Sequence, residues 1–216
     1  MQATDHAIRF IREQNWQDFS QELQCQAKRC LLDALGAPIA GTETPAAKIV
    51  AGIAESQFGG SQASILVRGS KTSASGADLA NGFAANALDI DDGYRLVKEH
   101  PGACVLPVIL TAAEFTPACT GGEFLTALII GYELGFREGR IRHACYETFH
   151  SSGSWGAIAG AAAAGRIMGL KAKILRHAMG VAEYHAPIAP MMKGIETPSM
   201  GKDCIGWGPW WVCSLF

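Results

Sequence analysis

Apolar residues recur at three- and four-residue spacing through most of the chain, the period of helices that bury one face. Near the N-terminus, Ile8 and Ile11, with Phe10 beside them, mark a helix that Thr4 or Asp5 can cap. Ser20 opens a second helix carrying Leu23, Ala27, Leu31 and Leu35 at helical spacing and ending near Gly36 to Pro38. Thr44-Pro45 is a cap followed by proline at the first helical position, and it starts a helix with Ile49, Val50 and Ile53 on one face. A single strand is expected over 63–68, between Gly59-Gly60 and the turn-rich stretch 69–75. Beyond it the pattern is helical again, over 77–88, 103–115, 122–140, 154–168 and 173–184. The stretch 155–165 (WGAIAGAAAAG) carries no charge, and its small residues let backbones approach closely, which predicts a central helix packed on all sides. The fold class expected is an all-α helical domain with a minor β excursion.

Composition narrows the classes of function. The 216 residues are 49% hydrophobic and 18% charged, too apolar for a disordered chain. Eighteen basic residues against twenty acidic ones leave a net charge of −2, with no electrostatic footprint for nucleic acid. The seven cysteines are scattered, form no CxxC and stand at no zinc-finger spacing from a histidine. The N-terminus has no signal-peptide pattern, and the most apolar runs, 124–131 and 155–165, are too short to span a bilayer. A cytoplasmic protein without membrane or nucleic-acid partners is expected. GxSxG, P-loop, HExxH and GxGxxG motifs are all missing.

The densest polar cluster is Asp89-Ile90-Asp91-Asp92, followed by His100-Pro101-Gly102. If the helix before it continues, Asp89 and Asp92 share a face. Crowded carboxylates raise at least one pKa unless a cation or donor compensates. His100 precedes a proline suited to the first helical position, which places it at a helix N-terminus; the dipole there disfavours the imidazolium and keeps the ring available as a base. His150 also stands at a helix entrance, before Ser151-Ser152-Gly153, and Lys202 lies in a turn-rich loop. Arg137, Arg140, Arg142 and His143 are read as cations suited to a helix C-terminus, with Glu133 and Arg137 as an i,i+4 pair. A magnesium site built from Asp89, Asp91 and Asp92 is a rival reading, weakened by Arg95 at the fifth position of a DDxxD pattern.

These residues resemble a known family. Asn86-Ala87-Leu88-Asp89-Ile90-Asp91-Asp92, His100-Pro101-Gly102-Ala103, Gly131-Tyr132-Glu133, Phe149-His150, Ala182-Glu183-Tyr184-His185-Ala186-Pro187 and the stretch from Lys202 to Gly208 are similar, in order, to the MmgE/PrpD proteins. That family includes 2-methylcitrate dehydratase, cis-aconitate decarboxylase and iminodisuccinate epimerase. The resemblance implies a helical domain that joins a smaller α/β domain, a homodimer, no organic cofactor and no metal. It implies lyase or isomerase chemistry by proton transfer at a carbon next to a carboxylate of a small polycarboxylic acid. Carried over by motif, Asp89, His100, His150 and Lys202 match the family's polar active-site positions; His100, Asp89 and His150 are the expected catalytic residues, and Lys202 and Asp92 are expected to bind substrate. Gly93 stands where the family often has a hydroxyl.

The matched text runs over 1–208, and the ending, PWWVCSLF over 209–216, departs from the family. An incomplete helical domain with an aberrant tail is therefore expected, inactive or nearly so by itself. The alternative is a non-catalytic helical fragment that acts through dimerisation or partner binding.

Overall fold

Side-chain caps set where several helices begin. In the computed structural model, which describes residues 3–148, 150–188, 190–196, 204–208 and 212, Ser20 accepts from the Leu23 amide and opens helix α2 (Gln21–Gly41). Thr44 accepts from the Ala47 amide and opens α3 (Pro45–Gln57), with Pro45 in the first turn as expected. Ser73 caps α4 (Ala74–Asn86), and Thr120 caps α6 (Gly121–Cys145). Helix α1 (Ala3–Glu13) already includes Thr4 and Asp5, so neither is its cap. Helices α5 (Pro101–Glu114), α7 (Gly153–Ile167), α8 (Ala172–His185) and the short α9 (Met191–Ile195) follow, and a single 3-10 turn at Trp16–Asp18 joins α1 to α2.

The expected strand over 63–68 is corrected. Only Ala63–Ser64 (β1) is extended, paired antiparallel with Lys71–Thr72 (β2). The apolar run beyond it turns instead: Val67 has φ +67° and is exposed, while Ile65 alone plugs the core. Asn81 of α4 holds this turn, accepting from the Leu66 amide and donating to the Ser64 carbonyl. Helix α2 also overruns its expected end and passes through Pro38. On α3 the isoleucines do not face inward. Ala47, Ala51 and Ala54 are buried, whereas Ile49 and Ile53 are exposed, as are Leu32 and Ile39 on α2.

Helix α7 is the centre of the molecule, and all its residues except Arg166 are buried. It packs on α5, α6 and α8. Glycine makes the closest approach possible: a Cβ at Gly156 would lie 2.7 Å from Cys104 Cβ on α5. Arg166, at the far end of α7, is paired with Glu123 of α6 at 2.6 Å and donates to the carbonyls of Ile11 and Arg12, closing the C-terminus of α1. Near the other end, residues 204–208 pack back onto the domain, with Ile205 buried and the Trp207 ring 5.9 Å from Phe83 of α4. Val212 is buried; the rest of the expected aberrant tail lies outside the described residues. Among the described residues, no helix is long and apolar enough to cross a membrane.

Candidate functional site

The segment between α4 and α5 carries the acidic cluster, and it is not a continuing helix. Helix α4 stops at Asn86, the Asp89 amide donates to the Asn86 carbonyl, and Asp89 takes φ +57°. Aspartate is among the few residues that visit this left-handed region readily. The turn separates the carboxylates that the sequence placed on one face. Asp89 is exposed, Asp91 is buried and receives an Asn86 Nδ2 bond at 2.9 Å, and Asp92 turns toward α5. A bridge between Tyr94 and Glu99 and the buried Val97 fix the remainder of the loop.

His100 stands at the N-cap of α5, before Pro101, as its sequence position predicts. Its Nδ1 lies 2.8 Å from the Asp92 carbonyl and 3.3 Å from that of Asp91. The Asp91 carboxylate is 3.5 Å from the same nitrogen, and the Asp89 carboxylate is 3.5 Å from Nε2. The His100 amide donates to Ser152 Oγ at 3.2 Å. Ser152 is the N-cap of α7, so the N-termini of α5 and α7 meet beside this histidine. Two converging positive helix ends favour anionic groups nearby.

Asp92 accepts from the Gly102 amide at 2.9 Å, and the Tyr132 hydroxyl of α6 faces the same carboxylate. Burial raises the Asp92 pKa above the ordinary aspartate value, with Tyr132 and the Gly102 amide opposing it. Asp92 is thus raised mainly by desolvation, not by the neighbouring carboxylates of the cluster. Burial, and then the nearby Asp92, push the Tyr132 phenol far upward. A Cβ at Gly102 would lie 2.5 Å from the Tyr132 hydroxyl and 2.7 Å from Asp92 Oδ1, so a larger residue there must displace one or both side chains.

His150 is buried, bridged to Pro190, with its ring edge-on to Tyr146 at 4.8 Å between centroids. Its carbonyl contacts His143 Nε2 at 3.3 Å. Burial lowers the His143 pKa. Arg142, expected as a structural cation at the helix end, is buried and donates to the Ser154 carbonyl and to the Tyr146 hydroxyl. Its spacing is that of ordinary dipole pairing and gives no signal that it organises this corner. Glu133 and Arg137 do form the expected i,i+4 pair. Lys202 lies outside the described residues.

The donor atoms of Asp89, Asp91 and His100 lie within 4.8 Å of one another. The carboxylates approach opposite nitrogens of one ring, and Nδ1 already faces a carbonyl, so this set suits a histidine held between acids better than a single cation. Asp92 is not part of the group. A cleft of about 1290 Å³ adjoins the loop, lined by Asp92, Gly93 and Tyr94 together with parts of α2 and α6; His100, Asp89 and His150 are not in its wall.

The MmgE/PrpD N-terminal domain model matches residues 6–203. The chain belongs to the MmgE/PrpD family. Among curated relatives of this MmgE/PrpD chain, human cis-aconitate decarboxylase is 33% identical over 178 residues, covering 77% of this chain and 36% of the relative. A cis-aconitate decarboxylase-like protein of Aspergillus oryzae is 24% identical over 188 residues, covering 83% and 39%. The cis-aconitate decarboxylase of Aspergillus terreus is 24% identical over 172 residues, covering 76% and 35%. The MmgE/PrpD chain thus spans little more than a third of the length of these relatives.

Proposed function

We propose that this chain contributes the acid–base half of a cofactor-independent lyase or isomerase acting on a small polycarboxylic acid. The observation that carries the reading is His100, held at a helix N-terminus with one ring nitrogen committed to backbone carbonyls and the other turned to Asp89. In this reading Nε2 takes the proton from a carbon next to a substrate carboxylate, and the C–H electron pair becomes enolate-like charge on that carboxylate. The proton then returns to carbon or accompanies a leaving group. The meeting N-termini of α5 and α7 stabilise the carboxylates, and His150 and Lys202 assist as cation or acid. The names of the relatives make cis-aconitate the first substrate to try.

The test is deuterium exchange. The chain is incubated with cis-aconitate and related tricarboxylic acids in D2O, and the recovered acids are weighed by mass spectrometry. Deuterium gain that falls at least about 100-fold in His100→Gln supports the reading, since general acid–base groups contribute on that scale. Undiminished exchange in the variant refutes the role of His100. The second reading, a fragment that only dimerises or binds a partner, is favoured by the exposed Leu32, Ile39, Ile49 and Ile53. It predicts a chain that associates in sedimentation equilibrium and shows no exchange at all.

A further inference from the structure

We propose that Asp91, braced by Asn86, is a positioning residue that holds His100 in its Nδ1–H form, leaving Nε2 as the proton-exchanging nitrogen and Asp89 as the carboxylate that faces it. The inference rests on the functional reading above and deepens it, by giving opposite duties to two aspartates two residues apart.

The surroundings of the two ring nitrogens differ. Nδ1 faces two hydrogen-bonding carbonyls, Asp92 at 2.8 Å and Asp91 at 3.3 Å, and the Asp91 carboxylate stands 3.5 Å from it as an ion-pair neighbour. A nitrogen among acceptors is the one that carries hydrogen. The Asp91 side chain is 1% exposed, whereas that of Asp89 is 62% exposed. The buried acid therefore acts in a low-dielectric setting, where its pull on the Nδ1 proton is little screened, and the exposed one acts in water. Asn86 Nδ2 donates to the Asp91 oxygen that lies nearest Nδ1, which fixes the direction of the carboxylate. The left-handed turn at Asp89 makes the division possible, since after it Asp91 is buried and bonded to Asn86, the last residue of α4, while Asp89 is exposed.

Histidine ring nitrogens report this directly. The chain is labelled with 15N-histidine, His100 is assigned by loss of its signals in His100→Gln, and long-range 1H–15N correlations are recorded with the ring neutral. The expected result is the Nδ1–H form in about tenfold excess, the reverse of the Nε2–H preference of free histidine. Asp91→Asn should reduce that excess severalfold, and Asp89→Asn should leave it in place. An unmodified chain whose His100 is mainly Nε2–H overturns the proposal, and so does an equal response to the two substitutions. Should Asp91→Asn fail to fold, Asn86→Ala, which removes the brace on the Asp91 carboxylate, should reduce the excess in its place, and an unchanged excess there overturns the proposal. The spectrum needs no turnover: an Nδ1–H ring without deuterium exchange removes the proposed activity and keeps the positioning, while exchange through an Nε2–H ring does the opposite.

Discussion

Placing a methyl group at Gly102 probes the junction of Asp92, Tyr132 and helix α5 in one step. The added Cβ of Gly102→Ala would lie 2.5 Å from the Tyr132 hydroxyl, 2.7 Å from Asp92 Oδ1 and 3.0 Å from Asp92 Cγ. The first two separations are far inside van der Waals contact, and Tyr132 is buried on α6, so the Tyr132 and Asp92 side chains must shift to admit the methyl group. Overpacking of this kind costs about 1–3 kcal/mol. Displacing Asp92 also weakens its bond from the Gly102 amide, at about 1–2 kcal/mol for a partly buried acceptor. Alanine returns up to about 1 kcal/mol through helix propensity. The net expectation is a loss of about 2–3 kcal/mol in urea unfolding followed by circular dichroism. In a Tyr132→Phe background the nearest clashing atom is gone, and the same substitution should cost at least about 1 kcal/mol less, a coupling typical of residues in contact. A Gly102→Ala chain as stable as the parent, or an identical cost in both backgrounds, would refute this account of why glycine follows His100-Pro101.

Arg166→Ala should destabilise the chain by about 3 kcal/mol in the same unfolding assay, because a side chain only 10% exposed leaves Glu123 and two α1 carbonyls without their donor; Arg166→Lys should recover less than half, since a point charge cannot serve all of them. Burial raises Asp92 in the folded chain, so the folded state holds a proton that the unfolded state has released, and stability should fall as pH rises from about 4 through the folded value. Asp92→Asn should flatten that fall. His143 works the other way: burial depresses it, so its contribution is present above about pH 6.5 and is lost as pH falls through the lowered value, and His143→Gln should flatten the acid limb. Urea titrations between pH 4 and 8 read both, and an unchanged profile in either variant would count against the burial argument for that residue.

Local chemistry was the legible part of this chain. Ser20 and Thr44-Pro45 cap helices where the sequence placed them, and His100-Pro101 opens α5, because caps and proline geometry are decided within three or four residues. The buried α7 was legible from its unbroken run of small residues. What escaped is set by distant neighbours. The run Ile65-Leu66-Val67 reads as strand, but Asn81, fifteen residues beyond Leu66, captures the backbone and turns it. Ile49 and Ile53 read as core, yet α3 packs through its alanines, the side that comes closest to α4. Asp89 to Asp92 read as a helical face until the turn at Asp89 assigned each carboxylate a different neighbour. That His100 would sit between two of them follows from the turn, and single-residue periodicity carries no signal for it.

The anchoring of α1 has a consequence for synthesis on the ribosome. Its buried Ile8 and Ile11 belong to the core that α7 and α8 complete, its last carbonyls are closed by Arg166, and Asp5 pairs with Arg176. These partners are about 155 to 171 residues away in the chain. At roughly 5–20 residues per second, α1 emerges about 10–30 s before they exist. During that interval the apolar stripe of α1 lacks the α7 and α8 surfaces that cover it in the folded domain. A nascent-chain chaperone that recognises short apolar segments thus has a long opportunity at α1, which is anchored only when the stretch from Arg166 to Arg176 has been delivered.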